Sequence, residues 1–243
     1  MNYYGFTDKG KIRKSNQDRF LITCSKDGSL LHAAVCDGMG GASAGSVASS
    51  VAAEEIAERI SAGFREDASE MSMKNLLVTA VSAANTIVYH MSVNEPEKKG
   101  MGTTCVAAVA CGETAYIASV GDSRAYLISD DISQITSDHT YVEMLYQQGK
   151  INKEEISTHD MRHYITKAVG VEKEVEVDFF TVDLKKGDSL LLCTDGLTNF
   201  CDNEMILKTV KSAEPNEALE ELIDCANSKG GKDNITVALL CNK

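Results

Sequence analysis

The sequence predicts an α+β layered domain in which antiparallel sheets lie between helices. Three strand-like runs follow one another between residues 103 and 129, separated only by the tight breaks Gly112-Glu113 and Gly121-Asp122. Strands joined so closely pair as antiparallel hairpins. Segments with helical periodicity stand before and after these runs. Helix pairs around consecutive strands are typical of a domain whose sheets lie inside and whose helices cover them.

Seven apolar runs are the predicted strands. In chain order they read LLHAAVC, TTCVAAVAC, TAYIASVG, RAYLIS, VEVDFFTVD, SLLLCT and ITVALLC. The helices are predicted from apolar stripes, which are Val47, Val51, Ile56 and Ile60; Leu77, Ala80, Val81, Ala84, Ile87, Val88 and Met91; Met205, Ile206 and Val210; and Leu219, Leu222 and Ile223. Because the chain has no internal repeat, no low-complexity run and only two prolines, we expect one domain over residues 1–243.

The composition excludes several classes of function. With 36 acidic and 24 basic residues the formal charge is −12, which disfavours binding to nucleic acid or to an anionic membrane. We expect no targeting or membrane segment, because the uncharged apolar-rich stretch MGTTCVAAVACG is shorter than the ~20 residues of a spanning helix and the start of the chain has no apolar signal region. The eight cysteines form no C-x-x-C pair. We therefore expect reduced thiols in a cytoplasmic protein.

Four aspartates stand at the ends of apolar runs, each beside glycine or asparagine. Asp37 follows LHAAVC, Asp122 follows AYIASVG, Asp195 follows LLLCT, and Asp233 precedes NITVALLC. A single Asp-Gly pair is most often a turn, but stacked sheets could bring four such carboxylates together. Close carboxylates repel each other unless a cation lies between them. Oxygen ligands of this kind suit Mg²⁺ or Mn²⁺, so the pattern predicts a metal site.

Six segments together resemble one known family. They are TDKGKIRKSNQD (7–18), CDGMGG (36–41), GTT (102–104), VGDSRAYL (120–127), TDGL (194–197) and GGKDNITV (230–237). In their order and spacing the chain resembles the metal-dependent Ser/Thr protein phosphatases, the PPM family, in its bacterial form. The resemblance covers nearly the whole chain. It implies a four-layer α-β-β-α sandwich, with two antiparallel sheets packed face to face and helix pairs outside.

The same resemblance implies a centre of two Mn²⁺ or Mg²⁺ ions. Asp37 would bridge both metals and the Gly38 carbonyl would bind one of them, while Asp195 and Asp233 would hold the other. Asp18 would act through metal-bound water. A hydroxide shared by the metals would attack the phosphoserine or phosphothreonine monoester directly.

The resemblance also implies roles for Arg13 and Asp122. Arg13 would hold the substrate phosphate, for which a guanidinium fork is well shaped. Asp122 would share a third, weaker metal with Asp195, or would only shape its turn. Met39 replaces a histidine that eukaryotic relatives often carry, and a thioether donates no proton. A water on the third metal is then the best remaining general acid.

The segment 136–168 corresponds to the family's flap beside the active site. It carries Asp160 where relatives usually have proline, and His159 is a possible substrate contact. We expect phosphoprotein partners, including a Ser/Thr kinase and its substrates, and a monomer that binds neither nucleic acid nor membrane. The alternative is a catalytically weak pseudophosphatase that binds phosphoproteins. The motifs of cysteine-dependent phosphatases, P-loop kinases and dinucleotide-binding proteins are missing.

Overall fold

The strands form two antiparallel sheets in the computed structural model, which describes residues 1–25, 28, 30–41 and 43–242. In chain order they are β1 (Asn2–Asp8), β2 (Asp18–Cys24), β3 (Leu31–Met39), β4 (Gly102–Thr103), β5 (Cys105–Cys111), β6 (Thr114–Val120), β7 (Arg124–Ile128), β8 (Ile132–Gln134), β9 (Asp178–Asp183), β10 (Ser189–Cys193) and β11 (Ile235–Cys241). One sheet has the order β1-β11-β10-β7-β8. The other has the order β2-β3-β5-β6-β9, and β4 pairs with β3.

Helices cover the outer face of each sheet. Within the described residues they are α1 (Ala44–Gly63), α2 (Glu70–Asn94), α3 (Tyr141–Gln147), α4 (Lys153–Ile156), α5 (Asp195–Thr198), α6 (Asn203–Ser212) and α7 (Pro215–Ser228). Helices α1 and α2 pack on the sheet that contains β3 and β5. Helices α6 and α7 pack on the sheet that contains β10 and β11. The predicted four-layer α-β-β-α sandwich is confirmed.

The alternation of side chains along the central strands produces the layers. On β3, Ala33 and Val35 point into the core between the two sheets, whereas Ala34 and Cys36 point into the core beneath α1 and α2. Strand β11 alternates in the same way between the sheet–sheet core and the core beneath α6 and α7. Successive side chains of a strand face opposite sides, so a fully apolar strand is buried on both faces.

Helix α2 contains a longer uncharged stretch than MGTTCVAAVACG, because residues 75–94 include no Asp, Glu, Lys or Arg. By length and composition alone this helix could cross a membrane. In the fold its apolar side chains Met73, Leu77, Val81 and Val88 are buried in the core shared with α1 and the sheet. Ser69 caps the N-terminus of the helix, where its side chain accepts a hydrogen bond from the backbone N–H of Ser72.

Three strands were absent from the predicted set, namely β1, β2 and β8. All three lie at sheet edges, and many of their residues are exposed or only half-buried. An edge strand with one open face needs no continuous apolar run. Composition therefore revealed the central strands and not these edges.

Candidate active site

A cavity of about 640 Å³ lies at the end of the sandwich where the acidic strand ends meet. Asp37, Asp122, Asp195 and Asp233 all line it, and so does Arg13. Asp37 comes from β3, Asp122 from the turn between β6 and β7, and Asp195 from the first residue of α5. The tertiary fold therefore brings the four strand-end carboxylates into one cavity, as the sequence pattern predicted.

Asp37 is positioned through its backbone. Its N–H donates to the Thr104 hydroxyl at 2.9 Å, and its carbonyl accepts from the N–H of Thr104 and the hydroxyl of Thr103, both at 2.9 Å. Directly across the strand pair, Asp18 is its register partner on β2. Because these bonds use only main-chain atoms of Asp37, its side chain can change without loss of the strand end.

Gly38 is required by packing as well as by any ligand. A Cβ at this position would overlap the carbonyl oxygen of Gly45 in the first turn of α1, and the Gly38 N–H donates to the Gln17 carbonyl at 3.1 Å. Close approach of backbones is a common reason for glycine. Gly38 also lines the cavity.

Asp18 is buried beneath the cavity, and only one of its two carboxylate oxygens accepts hydrogen bonds from the described residues. One carboxylate oxygen accepts from the hydroxyls of Thr194 and Thr236, at 2.9 and 2.7 Å. The other oxygen, Oδ1, is buried and has no hydrogen-bond partner among the described residues. Burial raises the pKa of Asp18 to about 7, against the two hydroxyl bonds that lower it. Such an unpaired buried oxygen calls for a proton, a water or a cation.

Asp195 repeats this arrangement. Its Oδ2 accepts from the Asn199 side chain at 2.9 Å, while its Oδ1 is buried and unpartnered within the described part of the chain. Burial, followed by repulsion from Asp233, raises the pKa of Asp195. Two neighbouring carboxylates thus each present one free oxygen.

Burial and mutual repulsion raise the pKa values of the carboxylates in this cluster. Burial raises the pKa of Asp37 well above its ordinary value, and repulsion from Asp18, Asp195, Asp122 and Asp233 raises it further. Burial, with repulsion from Asp195, raises the pKa of Asp122 to about 8. Cations placed between the carboxylates would relieve both effects. The oxygen-only donor set fits Mg²⁺ or Mn²⁺.

The side chains of the described residues are nevertheless not arranged as a complete set of metal ligands. Over residues 1–25, 28, 30–41 and 43–242, no three Asp, Glu, His or Cys side chains converge closely enough to hold an ion as they stand. Asp233 instead binds Arg13, whose Nη2 donates to its Oδ2 at 2.7 Å. The oxygen donors, and the two buried carboxylate oxygens without a hydrogen-bond partner, fit a metal centre in their chemistry.

The turn that carries Asp122 is clamped to the start of the flap. The Gly121 N–H donates to Nδ1 of His139 at 3.0 Å, and the His139 ring also lies 3.2 Å from an Asp178 carboxylate oxygen. Arg124 makes a forked ion pair with Asp138, with a shortest distance of 2.6 Å. These bonds therefore hold the start of the flap and the turn of Asp122 in a fixed arrangement.

Several cavity residues were not foreseen from the sequence. Arg162 and His163 from the flap line the cavity, as does Lys232. Lys232 adjoins Asp233 in the GGKDN segment, so its position could have been found. The flap residues lie in an irregular stretch that carries no periodicity. His159 is not among the cavity-lining residues; its Nδ1 accepts from the Met161 N–H at 3.1 Å.

The fold and this cavity have counterparts in a known family. Residues 11–239 match the family model described as Protein phosphatase 2C. The chain belongs to the protein phosphatase 2C family. Members of this family are metal-dependent phosphatases, in agreement with the PPM resemblance and with the oxygen-rich cavity.

Named relatives of this phosphatase come from bacteria. It is 39% identical over 242 residues to "Serine/threonine phosphatase stp" of Listeria innocua. The matched region covers 96% of this chain and 93% of the relative. It is 34% identical to "Serine/threonine protein phosphatase PstP" of Mycobacterium tuberculosis over 98% of this chain and 44% of that protein. The crystal structure of Stp1 from Staphylococcus aureus superposes with a TM-score of 0.92 at 37% identity, over 99% of this chain and 94% of Stp1.

Proposed function

We propose that this phosphatase hydrolyses phosphoserine and phosphothreonine monoesters in proteins with the help of two divalent cations. The observation that carries the proposal is the convergence of Asp37, Asp122, Asp195, Asp233 and Arg13 in one cavity. A cluster of carboxylates needs cations to stay ionised, and an arginine beside it supplies a site for an anion. Phosphate esters are the substrates that need both.

Asp37 would bridge the two cations, and Asp195 and Asp233 would hold one of them. The Gly38 carbonyl would bind the other, and Asp18 would act through water. We propose Mn²⁺ or Mg²⁺, because each candidate donor is an oxygen. When bound, the cations would activate a water for direct attack and balance the charge of the phosphoryl group in transit.

Arg13 would bind the substrate phosphate. Its side chain is half exposed at the cavity wall and is already held at 2.7 Å from the Asp233 carboxylate. A bidentate guanidinium contact orients a phosphate as well as attracting it. Asp233 would thereby keep the Arg13 fork directed toward the metal site before substrate arrives.

Asp122 would share a third, weaker cation with Asp195. The brace formed by His139 and Arg124 holds its turn in place. Met39 lines the cavity and has no proton to give, so protonation of the leaving serine or threonine oxygen would depend on Asp122.

We further propose one catalytic domain over residues 1–243, a flap at 136–168 that borders the substrate, and a cytoplasmic monomer. All eight cysteines are free thiols, which agrees with a reducing compartment. The substrates would be phosphoproteins, including a Ser/Thr kinase. His159 would reach substrate only if the flap moved. Each relative named above is called a phosphatase, which lends no support to the pseudophosphatase alternative.

Hydrolysis of a phosphothreonine peptide tests the proposal. We expect turnover with Mn²⁺ and its loss on addition of a chelator. Asp37→Ala should lower metal binding in calorimetry and abolish turnover, while the melting temperature of the metal-free variant should not fall below that of the wild type, because the change removes one of several repelling buried carboxylates. Asp130→Ala, an exposed acidic position outside the cavity, is the matched control. Peptide binding without hydrolysis, or an active Asp37→Ala variant, would refute the metal-dependent mechanism.

A further inference from the structure

A group of sulfur atoms lies outside the active-site cavity, between α5, α6 and α7. Cys201 follows α5, Met205 lies in α6, and Cys225 lies in α7. The thiol of Cys225 is close enough to that of Cys201 to raise its pKa. Cys225 Sγ lies 3.0 Å from Met205 Sδ, and Cys201 Sγ lies 3.9 Å from the Leu222 carbonyl, one turn before Cys225. The two cysteines therefore face each other.

The two thiols have different surroundings. Cys201 is 2% exposed, and burial, followed by its contact with Cys225, raises its pKa to about 12. Cys225 is only partly buried. The ammonium group of Lys229 lies 3.6 Å from Met205 Sδ, and its charge offsets part of the rise in the pKa of Cys201. Cys225 is thus the thiol that an oxidant meets first, with Cys201 directly behind it.

We propose that Cys201 and Cys225 form a modification site, a thiol pair that a hydroperoxide oxidises reversibly to a disulfide. Cys225 Sγ attacks the peroxide, the O–O bond breaks, and a sulfenic acid and an alcohol or water are formed. Cys201 Sγ then attacks the Cys225 sulfur, the S–O bond breaks, and the hydroxyl group leaves as water with the Cys201 proton. The two thiols are oxidised and one peroxide is reduced.

A second pair of contacting thiols shows why exposure matters. Cys36 and Cys105 also lie close enough for Cys105 to raise the pKa of Cys36, at the strand position after the register pair Val35 and Val106. Both are 0% exposed. A peroxide in solvent has no route to either sulfur without opening the core. We therefore expect oxidation at residues 201 and 225 and not at residues 36 and 105.

The disulfide would link two segments that lead to the active site. Phe200, next to Cys201, lines the cavity, and its carbonyl accepts from Lys229 Nζ at 2.8 Å. Helix α7, which carries Cys225, runs into the loop with Lys232 and Asp233. The covalent loop 201–225 would remove freedom from the unfolded chain and raise the melting temperature by roughly 5–10 °C.

Peptide mapping of peroxide-treated full-length protein tests the site. After catalase removes the peroxide and free thiols are alkylated, trypsin should give the peptides 187–208 and 212–229 joined with the loss of two hydrogens. Fragmentation must place the bond at Cys201 and not at Cys193. Dithiothreitol should separate the peptides and reverse the rise in melting temperature.

Three variants complete the experiment. Cys225→Ser and Cys201→Ala should each abolish the cross-link and the thermal shift, and Cys225 is exposed enough that its replacement leaves the fold intact. Cys111→Ser, which changes another partly buried cysteine, should keep both. The proposal is overturned if peroxide adds oxygen to Cys225 or Met205 without a cross-link, or if fragmentation places the cross-link at Cys193.

Discussion

Replacement of Arg13 is the most direct test of how the cavity recognises phosphate. In Arg13→Ala the cavity loses the guanidinium whose Nη2 lies 2.7 Å from Asp233 Oδ2. Asp233 is then left without its cationic partner, so its carboxylate becomes more available to a metal ion. We expect weaker binding of the phosphopeptide together with unchanged or tighter binding of Mn²⁺.

The magnitude follows from the contact that is lost. A charge-assisted hydrogen bond contributes about 1.5–3 kcal/mol, which corresponds to a change of about 10- to 150-fold in an equilibrium constant. Because Arg13 would bind phosphate before the transition state as well as in it, most of this loss should appear in KM and less in kcat. Arg13→Lys keeps the charge and loses the fork, so its effect should be smaller.

Steady-state kinetics with a phosphothreonine peptide at saturating Mn²⁺ measures these effects. Lys14→Ala is the matched control, since Lys14 is an exposed neighbour in the same basic stretch and is not among the cavity-lining residues. Calorimetric titration with Mn²⁺ separates a loss of metal from a loss of phosphate contact. An unchanged KM in Arg13→Ala, or an equal rise in Lys14→Ala, would refute the assignment of Arg13.

Two further predictions concern the acidic cluster. Asp122→Ala should lower kcat/KM for a phosphoserine peptide by about 10²- to 10⁴-fold and affect an aryl phosphate much less, because only the serine oxygen needs a proton as it leaves; equal losses on both substrates, with an unchanged melting temperature, would rule out this role. The second prediction is a pH dependence of the metal-free protein. The pKa values of Asp18 and Asp122 rise from 3.8 to about 7 and about 8, so the folded state holds protons that the unfolded chain has released. Stability should therefore fall as the pH rises from about 4 to about 8, and Mn²⁺ should restore it most strongly at the upper end. Urea unfolding at several pH values measures this, and a stability that rises over the same range would contradict the reasoning.

The layered architecture could be read from the sequence because it depends on local periodicity. Strand β3 is apolar on both faces, and that alone predicts a strand covered on both sides. The stripes of α6 and α7 likewise identify their buried faces. The strand-end carboxylates at Asp37, Asp195 and Asp233 were visible because each is a polar residue that interrupts an apolar run beside glycine or asparagine.

Other features depend on contacts between residues far apart in the chain. Asp18 accepts hydrogen bonds from the hydroxyls of Thr194 and Thr236. No local pattern in the sequence near Asp18 shows that these two threonines contact it. The flap places Arg162 and His163 in the cavity from an irregular segment. Periodicity reports which face of an element is buried, because burial repeats along a helix or strand. The partner across the core is chosen by packing in three dimensions, so only the tertiary structure could supply it.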